Sequence, residues 1–259
     1  MSGLEIWLVN DDPAQLLIQK RLLGRFAATV WDFGSPAELL AQAKAHGSCP
    51  NLVSDYNMPG INGLQLAELW CKMHPDAKIL LLSASVLSEV EREELTYLPT
   101  NHVKILTSYR LPELLATAQA WFTQEAQGAP DTLEVKTTAP ETYRFFDAEM
   151  LGKLKSLGGG SFVSKALERF AERIPSRLKT LEAALLEQIN EQMMFEAHAL
   201  KGSCGMVGAS EMMNAAGRIE EFAQSQAAPG ELARLIEELN SAWESTRLEL
   251  EAIAKDLSS

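Results

Sequence analysis

The sequence predicts a doubly wound α/β domain on a five-stranded parallel sheet, followed by an all-α up-and-down helical bundle. Three observations carry that prediction. Within residues 1–126 an apolar run followed by a helical pattern recurs five times, as a parallel sheet with helical crossovers requires. Residues 127–141, QGAPDTLEVKTTAPE, hold two prolines, one glycine and several threonines with no period of either kind, and read as a linker. Within residues 142–259 everything reads as helix.

The first domain follows in order. Leu4–Val9 is a short apolar run that delivers Asn10-Asp11-Asp12 at its carboxyl end, as a buried strand would. Pro13 suits the first turn of a helix, which Leu16, Leu17, Leu22, Leu23 and Phe26 continue. Ala28–Phe33 is the second strand. Ser35 is an N-cap for a helix opened by Pro36 and running to about Ala45. Asn51–Ser54 is the third strand and ends at Asp55. Asn62–His74 is helical, with Leu64, Leu66, Ala67 and Trp70 inward. Lys78–Leu82 is the fourth strand and ends at Ser83. Ser88–Tyr97 is a charged helix, Val103–Leu106 the fifth strand, and Pro112–Gln124 the fifth helix. In such a sheet the functional residues belong at the carboxyl ends of the strands.

In the second domain, Asp147–Leu157 is a short helix ended by Gly158-Gly159-Gly160. Phe162, Ala166, Phe170, Ile174, Leu178, Leu181 and Leu185 mark one long helix that contains Pro175, a site for a kink. A helix around His198, a helix over Glu211–Gln224 and a last one over Glu231–Leu257 complete four long helices and a short one.

Composition narrows the function. Hydrophobic residues make up 46% and charged residues 22% of 259, ordinary globular values. A net charge of -12 argues against nucleic acid or an anionic membrane as partner and in favour of proteins. Cys49, Cys71 and Cys204 form no CxxC pair, so reduced cytosolic thiols are expected rather than zinc or a structural disulfide. The first residues, MSGLEIWLVNDD, lack the basic start of a signal peptide. No apolar run approaches the length of a membrane helix.

The strand ends carry the first domain's chemistry. Asn10-Asp11-Asp12, Asp55 and Ser83 lie side by side in a parallel sheet, and carboxylates flanking Asp55 call for a cation. A hard divalent ion such as Mg2+ is held by one or two carboxylates with carbonyls and waters. A carboxylate on such an ion can attack a phosphoryl group whose oxygens the metal neutralises. Val9-Asn-Asp-Asp-Pro13, Asp55-Tyr-Asn-Met58-Pro59-Gly60 with Gly63, and Leu82-Ser83-Ala84 resemble the response-regulator receiver domain, a flavodoxin-like fold, over roughly residues 4–124. The resemblance implies Asp55 as phosphoacceptor and Asp11, Asp55 and the backbone carbonyl of Asn57 as Mg2+ ligands. It implies Ser83 as the hydroxyl that binds the phosphoryl oxygen.

Three positions depart from that family's pattern. The first acid of the pair is Asn10, with Asp12 as a third acid nearby. The lysine after the fifth strand is replaced by Ser108 or Thr107, with Lys104 or Arg110 as alternative cations and Tyr109 where a proline usually follows. The aromatic of the fifth strand is Ile105, for which Tyr109 is a partial substitute. Loss of a fixed cation weakens phosphorylation or its readout, because such contacts are mostly electrostatic.

Met193–Gly208 carries the second domain's chemistry. At about 100° per residue, Met193, Ala197, Leu200, Cys204 and Val207 share one side, and His198 lies roughly opposite, near Gly202 and Gly205. Two glycines inside a helix cost roughly 0.5–1 kcal/mol each relative to alanine, a cost that close approach of another molecule to His198 would offset. A neutral imidazole is a nucleophile near physiological pH. Lys201, one turn on, can offer an ammonium to phosphoryl oxygens. His198-Ala-Leu-Lys201-Gly202-Ser203 with Gly208-Ala209 resembles the signature of histidine-containing phosphotransfer (HPt) domains, helical bundles whose exposed histidine carries a phosphoryl group between receivers.

Together the two resemblances imply a two-component phosphorelay protein carrying phosphoryl groups on Asp55 and His198. No ATP-binding kinase domain accompanies them, so the implied partners are a separate sensor histidine kinase and other receiver-domain proteins, in the cytoplasm. The competing reading is a docking protein whose altered receiver controls access to His198 without being phosphorylated. A haloacid-dehalogenase-type phosphatase is disfavoured, since that chemistry wants an Asp where Asn57 stands.

Overall fold

The computed structural model describes residues 3–46, 51–84, 93, 95–99, 101–123, 143–225 and 229–258. The chain divides into two compact units, Met1–Thr132 and Leu133–Ser259. The expected linker at 127–141, Cys49, and most of the expected helix at 88–97 lie outside the described residues. No described helix is long and apolar enough to cross a membrane.

The first unit is a five-stranded parallel sheet in the order β2-β1-β3-β4-β5. Its strands are β1 (Glu5–Val9), β2 (Thr29–Phe33), β3 (Asn51–Asp55), β4 (Ile79–Ser83) and β5 (Val103–Thr107). Its described helices are α1 (Pro13–Leu23), α2 (Pro36–Ala43), α3 (Gly63–Met73) and α4 (Leu111–Thr123). Central strands β1 and β4 are nearly continuous apolar runs because both faces are covered, whereas β2 is an edge strand with most of its residues exposed. Trp7, Leu52, Leu66, Trp70 and Ile79 centre one core cluster. The N-cap expected at Ser35 is present, and the structure adds one at Asn62. Ser35 accepts the amide of Glu38, and Asn62 forms a capping box with Gln65. Strand order and register then set the carboxyl ends of β1, β3, β4 and β5 next to each other: Val9 opposite Ser54, Asp55 opposite Leu82, Ser83 opposite Thr107.

The second unit is a closed four-helix bundle of α5 (Ala148–Leu186), α6 (Asn190–Val207), α7 (Ser210–Gln224) and α8 (Pro229–Ser258). α5 packs on α6 and α8, and α7 packs on α6 and α8, as an up-and-down order demands. Gly159, at φ 78 and ψ 179, breaks α5 into the short and long segments that the glycine run foretells. Pro175 sits within helical backbone.

The apolar stripe of α6 is buried throughout, from Met193 to Val207. Gly205 is spent on packing: a Cβ there would stand 3.2 Å from Met213 Sδ on α7. Gly205 therefore permits the close approach of α6 and α7 rather than clearing space for a partner at His198. Gly205→Leu is expected to wedge these helices apart and lower stability by about 1–3 kcal/mol, the usual cost of overpacking. Chemical denaturation reads this directly, and an unchanged midpoint would show that the contact is not tight.

Candidate functional sites

In the first unit the polar loop after β1 is built from the backbone outward. Asp12 is the N-cap of α1, its Oδ1 accepting the amides of Ala14 (3.0 Å) and Gln15 (2.9 Å). Asn10 Oδ1 accepts the Asp12 amide at 2.8 Å, and Asn10 Nδ2 donates to Gln19 Oε1 at 3.3 Å. Asn10 and Gln19 are fully buried and Asp12 nearly so. Asp12 thus caps a helix. Asp11 and Asp55 are half-buried, and Asn57, two residues past Asp55, is half-buried as well. Among the described residues no group of three or more His, Cys, Asp or Glu is gathered for a metal. Two carboxylates and a carbonyl nevertheless fit Mg2+, which keeps several waters.

Gly63 sets the position of Asp55. A Cβ on Gly63 would fall 2.3 Å from the Asp55 carbonyl oxygen, so only glycine lets α3 start against the end of β3. Ser83 is buried beside Thr107, and its carbonyl accepts the amide of Ser108 at 2.9 Å. Ser108 is exposed at φ 49, and Thr107 is half-buried. Lys104 is exposed with its Nζ 5.8 Å from the Trp121 ring centre, and Arg110 is exposed. The Asp55 carboxylate acts electrostatically on Tyr109. The Tyr109 hydroxyl accepts from Gln19 Nε2 at 3.1 Å. Burial raises the pKa of that hydroxyl and the Asp55 carboxylate raises it further, against a smaller opposing effect of the Gln19 bond.

In the second unit α6 and α7 present a three-residue constellation. His198 Nδ1 lies 2.8 Å from Glu220 Oε1, and Lys201 Nζ donates to Glu220 Oε2 at 3.1 Å. Only 12% of the His198 side chain is exposed, so the imidazole is not on the bare face that the sequence suggests but is held by one edge against α7. Lys201 is committed to the same carboxylate. Its stem runs alongside Gly217, where a Cβ would lie 3.8 Å from Lys201 Cδ. Burial works to raise the Glu220 pKa, but the hydrogen bonds and charges of His198 and Lys201 outweigh it and hold it at about 2. An ionised carboxylate only accepts, so Nδ1 carries a proton and, in the neutral ring, Nε2 carries the lone pair.

Residues 165–254 match the family model described as the Hpt domain. These residues are similar to Hpt domains. Over 94% of its length the chain is 22% identical to the aerobic respiration control sensor protein ArcB of Escherichia coli (strain K12), covering 31% of that protein. Over 80% of its length it is 23% identical to the sensor protein TorS of the same organism, covering 21% of it. The chain therefore spans about a third or less of the curated relatives it matches. Among solved structures the first unit is similar to the chemotaxis protein CheY4 of Vibrio cholerae, with 20% identity and a TM-score of 0.40 over 46% of this chain and 98% of that one.

Within the matched residues, several signature residues have structural duties. Ser203 is buried and its Oγ donates to the Ala199 carbonyl at 3.0 Å. Gly208 ends α6 at φ 83, and a Cβ there would strike Met150 Cβ at 2.9 Å. Its carbonyl accepts the Asp147 amide at 2.8 Å, and Ala209 bridges Phe146. Glu249 then accepts the amides of Arg144 and Phe145, both at 2.7 Å, and pins the segment leading into α5.

Glu220 is the member of this constellation that sequence reasoning missed. It sits beside Glu221 in a charged run that reads as a solvated face, and its partners lie 19 and 22 residues away on another helix. Because its pKa in the folded protein lies below the ordinary 4.5, the stability it contributes is fully present above that value and is lost as pH falls towards about 2. Urea denaturation at pH 5 and pH 2.5 should show wild type losing more stability over this interval than Glu220→Gln. Equal losses would show that the pairing contributes nothing.

Proposed function

We propose that the chain is a two-component phosphorelay carrier that accepts a phosphoryl group on His198 and on Asp55 and passes it to other proteins. The observation that carries this reading is the His198–Glu220 pair inside the Hpt match, which fixes the proton on Nδ1 and leaves Nε2 as nucleophile. In the Hpt step the Nε2 lone pair attacks phosphorus on a partner receiver's aspartyl phosphate. The N–P bond forms as the O–P bond breaks, and the partner's carboxylate leaves with the electron pair. The ring becomes cationic, and the Glu220 carboxylate at Nδ1 stabilises that charge where it develops. Onward transfer reverses these bond changes on a second receiver. Lys201, drawn to Glu220, holds the carboxylate in place and lies one turn from the imidazole.

In the first unit an Asp55 oxygen would take a phosphoryl group from a phosphohistidine, forming an O–P bond as the N–P bond breaks. Mg2+, held by Asp11, Asp55 and the Asn57 carbonyl, would supply neutralisation of the phosphoryl oxygens when bound. Ser83 and Thr107 are the hydroxyls placed at the neighbouring strand ends. The donors implied are a separate sensor histidine kinase and receiver-domain proteins, and a cytoplasmic location is part of the same reading. Transfer profiling against a panel of phosphorylated kinases and receivers tests the reading. Asp55→Asn should lose label accepted from kinases while still accepting it from receivers through His198. Label retained in full by Asp55→Asn from every kinase would remove Asp55 from the route.

A further inference from the structure

Helix α5 carries a charge where its pattern calls for an apolar side chain. Arg177 falls within the stripe Phe170, Ile174, Leu178 and Leu181 and is buried with them, at 4% exposure. Its guanidinium reaches across to α6, where Arg177 Nη1 donates to Glu196 Oε2 at 3.1 Å. Only 13% of the Glu196 side chain is exposed. Taking two charges out of water costs about as much as their attraction returns, and apolar residues of similar volume are often as stable or more so. Fold stability therefore does not account for the pair. What an ion pair adds to apolar burial is direction.

Direction matters for α6, because its function depends on its rotation about its own axis. The helix starts without a side-chain cap. Its buried stripe from Met193 to Val207 is held by hydrophobic burial, which has no preferred angle. At about 100° per residue, Glu196 and His198 stand about 200° apart, on nearly opposite sides of the helix. Arg177 grips one side, and on the other His198 Nδ1 meets Glu220 Oε1 at 2.8 Å. Rotating α6 by about 20° would move an atom about 6 Å from its axis by about 2 Å, enough to break that contact. We propose that Arg177 is a positioning residue for His198: its buried pair with Glu196 sets the rotation of α6 at which Nδ1 meets Glu220 and Nε2 is left for the phosphoryl group. The inference rests on the reading of His198 as phosphoryl acceptor. The two carboxylates then have different duties. Glu220 touches the imidazole, whereas Glu196 acts on it only through the helix.

The test uses the full chain labelled at the histidine ring nitrogens, in mildly alkaline buffer where the ring is neutral. The His198 signals are identified by their loss in His198→Gln. Wild type should give two well-separated nitrogen signals, those of a ring fixed with its proton on Nδ1. Arg177→Met combined with Glu196→Leu replaces the pair by apolar side chains of similar size and leaves neither charge unpaired. This double variant should unfold in urea at the wild-type midpoint or above it. Its His198 signals should nevertheless draw together as the two tautomers exchange. It should accept a phosphoryl group from a phosphorylated receiver about tenfold more slowly, the worth of one charge-assisted hydrogen bond. Glu196→Gln, which keeps an oxygen for Arg177, should keep the separated signals. Wild-type signals and rate in the double variant overturn the proposal. A double variant that unfolds at markedly lower urea also overturns it, because the pair then holds the fold and not the angle. If the wild-type chain takes no phosphoryl group from any receiver, the acceptor reading fails, and the ring-nitrogen signals still decide the role of Arg177.

Discussion

His198→Gln is expected to abolish phosphoryl acceptance by the Hpt domain while leaving its helix content unchanged. The side chain lies at the edge of the α6–α7 contact and is not among the buried residues of the stripe from Met193 to Val207. An amide replacing the imidazole can still hydrogen-bond Glu220 but offers no nucleophilic lone pair on nitrogen. Acceptance should fall below detection when a phosphorylated receiver is the donor, with far-ultraviolet circular dichroism unaltered. Label persisting on the variant's Hpt domain would mean that another residue carries the phosphoryl group.

Glu220→Ala should produce the second largest effect, at least about tenfold slower transfer, because it removes the group that both fixes the tautomer and stabilises the imidazolium as it forms. Two consequences separate this from a general loss of packing. Nε2 would no longer be the only basic nitrogen of the neutral ring, so the fraction of productive tautomer falls. Lys201 would lose its bond partner, so Lys201→Ala added to Glu220→Ala should cost little more, whereas in wild type it should slow transfer by itself. Rapid-quench measurement of the transfer rate for the two single variants and the double variant checks this. Full additivity would contradict the three-residue arrangement.

Much of this molecule is written in local pattern. The strand ends at Asn10, Asp55 and Ser83 follow from short apolar runs bounded by polar residues, and the order of the sheet brings those ends together. The break at Gly159 and the caps at Ser35 and Asn62 follow from single residues with strong local preferences. What could not be read is contact between distant positions. Gln19 meets Tyr109 across 90 residues, and nothing in the spacing of α1 marks a glutamine as buried. Gly205 looks like a gap left for a partner because its neighbour Met213 lies on another helix. Asp12 reads in sequence as one more acid near Asp55, and its duty as the N-cap of α1 shows only in its bonds to the Ala14 and Gln15 amides. The same limit hid Glu220, whose duty is set by packing of α7 on α6.

The most direct measurement of the central claim is the chemical stability of the label transferred to the full chain from a phosphorylated receiver. Phosphoryl on imidazole nitrogen survives alkali and is lost in acid, whereas an acyl phosphate is lost in alkali. The account predicts an alkali-stable label on wild type and on Asp55→Asn, and none on His198→Gln. An alkali-stable label on His198→Gln, or only alkali-labile label on wild type, would contradict it.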